Sequence, residues 1–162
     1  MVMDKLIIWC AGFLDGEGTI TIKRARRKDT KGINYQPYVS CGQTVKGEIA
    51  MKRLQEIFGG SLYYYRQKGQ REDTVQWAVA SQKAKKCVEQ IIPYLILKKK
   101  QAELLLEYTN TEWTREKNTF NLTDESREKR ELFFQKIREF NVKGKIRLQR
   151  LNEETPNGDV IV

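Results

Sequence analysis

The stretch Cys10-Ala11-Gly12-Phe13-Leu14-Asp15-Gly16-Glu17-Gly18 decides the fold of this chain. It continues an apolar run that begins at Leu6, so it predicts a helix over about residues 4–15, which the glycines at the end of the stretch suit as a cap and a turn. Gly12 and Gly16 are four residues apart and therefore lie on one face of this helix. Small residues at that spacing allow the backbone of a second helix to approach closely.

The acid Glu17 stands where this helix ends. Because it follows the carbonyl of Gly16, a carboxylate and a backbone oxygen meet there, and both are hard ligands of the kind that Mg²⁺ prefers. Two such helices packed side by side would bring two of these ends together and form a Mg²⁺ site. The plainer interpretation is a helix C-cap followed by an exposed acid, and the stretch taken alone is compatible with both.

The composition narrows the chemistry that the chain can perform. Of its 162 residues 40% are hydrophobic, and its longest apolar-plus-glycine run, Leu6 to Leu14, is far shorter than the roughly 20 residues of a membrane span. The absence of histidine excludes Ser-His-Asp and Cys-His nucleophiles and imidazole-bound zinc. Three widely spaced cysteines without a C-x-x-C pair favour buried free thiols in an intracellular protein. Acid–base chemistry is therefore left to carboxylates, lysines or metal-bound water.

The charge of the chain points to a polyanionic partner such as nucleic acid. Thirty Lys and Arg against twenty-one Asp and Glu give a net charge of +9. The positive excess is concentrated in two segments: Thr19 to Gln43 has six basic residues against one acid, and Lys83 to Lys100 has six lysines against one acid. The basic face therefore belongs to the first hundred residues.

The remaining sequence predicts an α+β fold of order α-ββ-α-ββ-α-α, followed by one more helix. Alternating residues predict two β-hairpins, with strands at 19–23 and 35–43 and at 62–66 and 74–80. Helical spacing predicts helices over 46–58, 81–92, 95–108 and 124–140, and in the third of these it turns Leu97, Leu104, Leu105 and Tyr108 inward. Four strands in two hairpins make an antiparallel sheet with helices on one face. We expect a single domain over residues 1–150 and a flexible tail over 151–162.

The face of the sheet without helices is free to meet a partner. The residues expected to point to the core are Ile20, Ile22, Val39, Cys41, Tyr63 and Tyr65. Alternation then turns polar residues outward, where long donors, arginines and tyrosines suit base edges and phosphates. The residues expected to contact DNA are Thr21, Lys23, Arg27, Asn34, Gln36, Tyr38, Ser40, Tyr64, Arg66, Lys68 and Gln76. An ordinary solvated sheet face is the alternative interpretation.

Two segments of the chain resemble the LAGLIDADG homing endonucleases. The opening stretch is similar to the nine-residue motif of that family, with Cys10 at the first Leu position and Glu17 at the final acid. The segment from Pro93 to Ala102 resembles the one that carries an active-site lysine in members with a single motif. The element order also matches the family's fold, with its saddle-shaped DNA-binding sheet, so the resemblance covers about residues 4–110. It implies a site-specific enzyme of intron homing that cuts double-stranded DNA across the minor groove, hydrolyses phosphodiesters with metal-activated water and leaves 3′ overhangs.

The same resemblance implies roles for individual residues. Glu17 and the carbonyl of Gly16 would bind Mg²⁺ above a scissile phosphate. Lys98 would position or polarise the attacking water or stabilise charge on the phosphorane, and Gln43 would help to organise water. Lys98 also stands near the start of a predicted helix, where the helix dipole disfavours cations, so another interaction must favour it there.

A single motif supplies only half of such a site. We therefore expect a homodimer with Gly12, Phe13 and Gly16 at its interface, and a long pseudo-palindromic DNA target that mirrors the two-fold symmetry of the protein. An RNA maturase with intron RNA as partner, and a non-cleaving DNA-binding or RNA-binding protein on the same scaffold, remain alternatives. We expect no membrane partner, and a location inside the cell, in a prokaryotic cytoplasm or an organelle.

Overall fold

The computed structural model describes residues 2–26, 33–66, 68–69, 72–117 and 121–141 of the chain. The elements in chain order are α1 (Val2–Glu17), β1 (Gly18–Arg26), β2 (Ile33–Thr44), α2 (Glu48–Phe58), β3 (Ser61–Tyr65), β4 (Thr74–Ala80), α3 (Ser81–Ile91), α4 (Lys99–Asn110) and α5 (Asp124–Phe140). This order confirms the predicted α+β architecture of two α-β-β units followed by helices. The proposed tail over 151–162 and the predicted DNA contact Arg27 lie outside the described residues.

The four strands form one antiparallel sheet in the order β1-β2-β4-β3. Ile20 pairs with Val39, and Val39 pairs in turn with Val79, so one row of apolar side chains crosses three strands on the same face. The residues predicted to point to the core from the first hairpin are confirmed, since Ile20, Ile22, Val39 and Cys41 are all buried. This face, covered by the helices, is the core of the molecule, and no helix of the described residues covers the opposite face.

Strand β4 shows why the sequence folds this way locally. Its residues alternate, so that Val75, Trp77 and Val79 are buried against the helices. The indole nitrogen of Trp77 donates a hydrogen bond to the carbonyl of Gly59, 2.8 Å away, at the end of α2. The backbone at Gly60 has a φ of 92°, and a Cβ there would lie 2.3 Å from a carbonyl oxygen of β4, so glycine is required for this close approach.

Helix α5 packs along β1, an edge strand of the sheet. Phe133 and Ile137 are buried, and Phe133 meets Tyr108 of α4 edge to face with ring centroids 5.6 Å apart. Beyond the helix, the side-chain amide of Asn141 donates to the carbonyl of Ile20 over 3.0 Å. The predicted bounds of this helix are confirmed, and the structure adds that it packs against β1 and α4.

Two expectations from composition can be compared with the described residues. Cys10, Cys41 and Cys87 are free and buried, as predicted, and burial raises the pKa of the Cys10 and Cys41 thiols to about 11. In the part of the chain that the structure describes, no helix has the length and apolar character needed to cross a membrane.

Candidate active site and nucleic-acid interface

The carboxylate of Glu17 lies at the exposed C-terminal end of α1, where the chain enters β1. The side-chain amide of Gln43, near the end of β2, donates a hydrogen bond to Glu17 over 3.2 Å. This contact exists because α1 leads directly into β1, and β1 pairs with β2 so that Gly18 lies opposite Cys41. The structure therefore brings together two of the three residues that the sequence marks as catalytic.

The third residue, Lys98, reaches the same point from the other side. Its ammonium donates to the carbonyl oxygen of Asp15 and lies 3.3 Å from that of Gly16. Carbonyl oxygens at the C-terminal end of a helix carry partial negative charge and attract cations. This explains why a lysine is found just before α4. Its ammonium interacts with the carbonyls at the end of α1 and not with the start of α4.

A buried carboxylate that sequence reasoning did not single out holds Lys98 in place. Asp15 accepts hydrogen bonds from the backbone amides of Ile96, Leu97 and Lys98, at 2.9, 2.8 and 2.7 Å. Burial alone would raise the pKa of Asp15, but these amides and the charge of Lys98 outweigh it, so its pKa lies below the ordinary value. The sequence feature that could have identified Asp15 is an acid inside an apolar helix, since a buried acid needs hydrogen-bond or charge partners.

The oxygens at this site suit a hard divalent cation. The Glu17 carboxylate and the Gly16 carbonyl share one exposed end of α1, and both are oxygen donors of the type that Mg²⁺ accepts. The attraction of the Lys98 ammonium to the Asp15 and Gly16 carbonyls shows that this end of the helix favours positive charge. Among the described residues, however, no group of three Cys, Asp or Glu side chains could hold a metal within one chain.

The outer face of α1 has features that the chain's own packing does not explain. Trp9 and Phe13 stack with centroids 5.4 Å apart, and Trp9 is 40% exposed. Gly12 and Gly16 lie on the same face and are exposed. Among the described residues, a methyl group added at either glycine would meet no atom within 4 Å beyond the local helix backbone.

The described residues on the face of the sheet without helices are mostly polar, and none of them is an acid. The sheet register places predicted outward residues on this open face: Thr21 pairs with Tyr38, and Lys23 with Gln36. The ammonium of Lys23 lies 3.3 Å from the centre of the Tyr38 ring. The described residues of the open face are Thr19, Thr21, Lys23, Ala25, Asn34, Gln36, Tyr38, Ser40, Gly42, Thr44, Ser61, Tyr63, Tyr65, Thr74, Gln76, Ala78 and Ala80. None of these is an acid, which suits a polyanionic partner.

The predicted orientation of β3 is wrong. Tyr63 pairs with Gln76 and Tyr65 with Thr74, so both tyrosines lie on the open face, each 47% exposed, instead of in the core. Tyr64 pairs with buried Val75 and lies on the helix side, where its hydroxyl donates to Glu48 of α2 over 2.5 Å. The physical reason is that paired residues of antiparallel strands share a face, and the apolar positions of β4 set the register.

Two further predicted contacts differ in how the sheet presents them. Arg66 follows the last paired residue of β3, so the sheet register does not place it on the open face. Ser40 lies on the open face but is only 5% exposed, beside Ala78, and is therefore part of the floor of that face. Lys68 is exposed between β3 and β4, as expected of a residue at the end of a hairpin.

A cleft joins the candidate active site to the open face. It has a volume of about 470 Å³ and is lined by residues that include Glu17, Gln43, Tyr65 and Gln76. The hydroxyl of Tyr65 donates to the side-chain oxygen of Gln76 over 3.2 Å. The open face is therefore continuous, through this cleft, with the end of α1 that carries Glu17.

Comparison with known proteins agrees with this geometry. The model of a family described as LAGLIDADG endonuclease matches residues 10–109. The DNA endonuclease I-CvuI of Chlorella vulgaris is 32% identical over 101 residues, which cover 61% of this chain and 60% of that protein. The sequence match thus spans less than two thirds of that endonuclease.

Solved structures show the same fold. The structure of I-CvuI in complex with its target in the presence of calcium matches with a TM-score of 0.70 and 23% identity, over 89% of this chain and 88% of that one. The archaeal intron-encoded homing endonuclease I-Vdi141I, complexed with DNA, matches with a TM-score of 0.53 and 22% identity, over 67% and 69% of the two chains.

Proposed function

Since the chain belongs to the LAGLIDADG endonuclease family, we propose that it is a site-specific DNA endonuclease that acts as a homodimer. Each copy would hydrolyse one phosphodiester bond of a long, pseudo-palindromic duplex. As the family resemblance implies, we extend the proposal to cleavage across the minor groove with 3′ overhangs. The observation that carries the proposal is the exposed glycine face of α1, which ends at the exposed carboxylate of Glu17.

The proposed dimer rests on two glycines that make no close packing contact among the described residues of one chain. Glycine inside a helix costs roughly 1 kcal/mol relative to alanine, and neither Gly12 nor Gly16 has a close neighbour among the described residues that would exclude a methyl group. A second copy of α1, packed on the first, makes use of both glycines and covers Trp9 and Phe13. In a two-fold contact the same residues of both copies meet, so the two Glu17 carboxylates would come together beside Gly16.

Mg²⁺ fits the oxygen donors at this end of α1. Glu17 and the Gly16 carbonyl would hold it, and bound there it would supply Lewis-acid stabilisation of the charge that develops on a scissile phosphate. Gln43 orients the Glu17 carboxylate by donating to it. Lys98 brings a positive charge beside the same carbonyls, where it can stabilise a phosphate oxygen that carries negative charge.

The open face supplies the binding surface. Its neutral donors and Lys23 can contact base edges and phosphates without repulsion from acids. Since the cleft beside Glu17 ends on this face, a duplex bound there would present its backbone to the carboxylate. Two faces related by the dimer axis would contact two half-sites, which accounts for a pseudo-palindromic target.

Selection of cleavable sites from a randomised duplex library tests the proposed function. With Mg²⁺, the wild-type protein is expected to enrich a long site with two related halves, and Glu17→Gln to bind that site without cutting it. Glu103→Gln, on the exposed side of α4, is the control for loss of a carboxylate. A wild-type protein that cuts no duplex and binds structured RNA more tightly than DNA would overturn the proposal and favour the maturase alternative.

Sedimentation tests the dimer separately. Gly12→Leu is expected to give a folded monomer, because a Cβ added at Gly12 meets nothing within 4 Å among the described residues, whereas a leucine there would separate the two helices. Glu103→Leu adds the same side chain to the exposed side of α4 and should leave the mass that of a dimer. A wild-type protein that is monomeric even on its target DNA would contradict the argument.

A further inference from the structure

The three residues before α4 are held by a residue far away in sequence. Residues 96–98 are not helical, and their amides point to the Asp15 carboxylate, 81 to 83 positions earlier in the chain. Their side chains cannot anchor them in the core, because Ile96 is 84% and Leu97 73% exposed. The prediction that Leu97 points inward is therefore wrong, and the carboxylate takes over the anchoring role that an apolar side chain would have.

This arrangement differs from an ordinary helix cap. A cap accepts amides of the second or third helical residue, whereas Asp15 binds the three amides that precede α4, which begins at Lys99. No side chain caps the start of α4. Asp15 thus fixes the backbone that leads to Lys98 instead of the helix that follows it.

We propose that Asp15 is a positioning residue for catalysis, which sets the backbone of Lys98 so that its ammonium reaches the end of α1 beside Glu17. The inference rests on the proposed function, because it assumes that Lys98 acts on the scissile phosphate. The geometry gives it a specific form: one carboxylate orients the lysine through three amides, while the carbonyl of the same residue receives the lysine's charge. The position of the lysine is therefore tied to the end of the helix that carries the metal-ligating carboxylate.

We call the Asp15 carboxylate together with the three amides that it binds the clamp. Amide hydrogen exchange tests this clamp without reference to activity. In Asp15→Asn, which keeps the size of the side chain and loses its charge, protection of the amides of residues 96–98 should fall at least about tenfold. Protection in β4 and in the core of α3 should stay unchanged. Glu103→Gln is the control for charge removal. Unchanged exchange at residues 96–98 would overturn the proposal.

Single-turnover cleavage tests whether the clamp acts through the lysine. Asp15→Asn should cleave as slowly as Lys98→Ala and still bind the target, and the double variant should be no slower than Lys98→Ala alone. Losses that multiply in the double variant would show that Asp15 acts independently of Lys98 and would overturn the proposal. If the wild type cuts no duplex, the proposed function fails, while the exchange measurement still decides whether Asp15 holds the segment.

A second variant covers the case in which Asp15→Asn does not fold. Ile96→Pro deletes one of the three amides, and the preceding residue, Leu95, already has the extended backbone that proline requires of its neighbour, with φ −78° and ψ 140°. Ile96→Ala shortens the same exposed side chain and keeps the amide. Faster exchange at residues 97 and 98 and slower cleavage in the proline variant than in the alanine variant support the clamp, and equal behaviour of the two contradicts it.

Discussion

Two acidic residues tie distant parts of this chain together, and they do so at opposite ends of the sheet. Asp15 is buried at the end of α1 and binds backbone amides beside the candidate active site. Glu131 of α5 is partly exposed and binds side chains, accepting from the hydroxyl of Tyr35 and pairing with Arg24 at 3.5 Å. One carboxylate positions a segment next to functional groups, and the other fastens a helix onto the sheet.

The comparison distinguishes a region whose residues are expected to act in cleavage from a region whose residues stabilise the fold. The end of α1 carries exposed groups that do little for the chain's own packing, such as Glu17, Gly12 and Gly16. The α5 end carries buried aromatic side chains and paired charges, none of which faces the cleft beside Glu17. Substitutions at the first end should affect cleavage, and substitutions at the second should affect the free energy of unfolding.

The largest effect is expected at Glu17. Replacing it by Gln removes the anionic metal ligand, so single-turnover cleavage should fall by about 10³-fold, or roughly 4 kcal/mol in the barrier. The midpoint of urea unfolding should stay that of the wild type, since the side chain is exposed. Cleavage at the wild-type rate would remove Glu17 from the mechanism. An altered unfolding midpoint would show that the end of α1 also contributes to the stability of the fold.

Phe133 should show the opposite behaviour. Phe133→Ala leaves a cavity between Tyr108 and Trp113, so the free energy of unfolding should fall by about 3 kcal/mol. At a temperature where the variant is still folded, its cleavage rate should be that of the wild type. Urea unfolding followed by tryptophan fluorescence gives the free energy of unfolding. Reduced cleavage by the folded variant would show that the α5 region also affects the candidate active site.

The open face should give an intermediate effect that is confined to specificity. Because Tyr65 donates to the oxygen of Gln76, the amide nitrogen of Gln76 is available to donate to a base. Gln76→Ala should therefore weaken the preference at one symmetric pair of positions by about 2 kcal/mol. Arg66→Ala should leave base preference intact, and Lys68→Ala should lower the salt slope by about one if it contacts a phosphate.

Cleavage of a randomised library at two salt concentrations measures the base preference and the salt dependence of each variant. Loss of base preference in Arg66→Ala would mean that the sheet register does not identify the residues that contact bases.

The smallest effect is expected at Glu131 and depends on pH. The hydrogen bond from Tyr35 lowers the pKa of Glu131, so this carboxylate stabilises the fold above its ordinary pKa of 4.5, and the contribution is lost as pH falls through the lowered value. Discounted for its partial exposure, the contribution is about 1 kcal/mol at neutral pH. Glu131→Gln should be less stable than the wild type by that amount at pH 7, and the difference should disappear once the pH falls below the lowered pKa. A difference that persists in acid would have a different cause.

Tyr35 gives the alkaline counterpart. Burial and the nearby Glu131 raise the pKa of Tyr35 from 10 to about 12, so its contribution is complete below pH 10 and is lost as pH rises towards 12. Tyr35→Phe should remove this alkaline dependence, which urea unfolding between pH 9 and pH 12 would show.

Much of the fold could be predicted because its signals are local. Helix α5 begins and ends where its polar and apolar spacing indicates, and the large apolar residues of β4, Val75, Trp77 and Val79, stand at alternate positions. Three consecutive tyrosines in β3 carry no such alternation, so only pairing with β4 could determine that Tyr64 faces the helices. Leu97 fails for a related reason, since helical spacing does not reveal that Asp15 holds its amide. The candidate site was predictable where it lies in a motif, at Glu17, and not where its parts meet through tertiary contacts, at Asp15.

The position of α5 at the end of the described chain has a consequence for synthesis. Its contacts span long separations, 96 residues between Tyr35 and Glu131 and 121 between Ile20 and Asn141, so they close late and at a high cost in chain entropy. Until α5 leaves the ribosome, the aromatic pair Tyr108 and Trp113 lacks Phe133 as its cover. Nascent chains that pause before residue 124 therefore expose aromatic core surface, which favours aggregation.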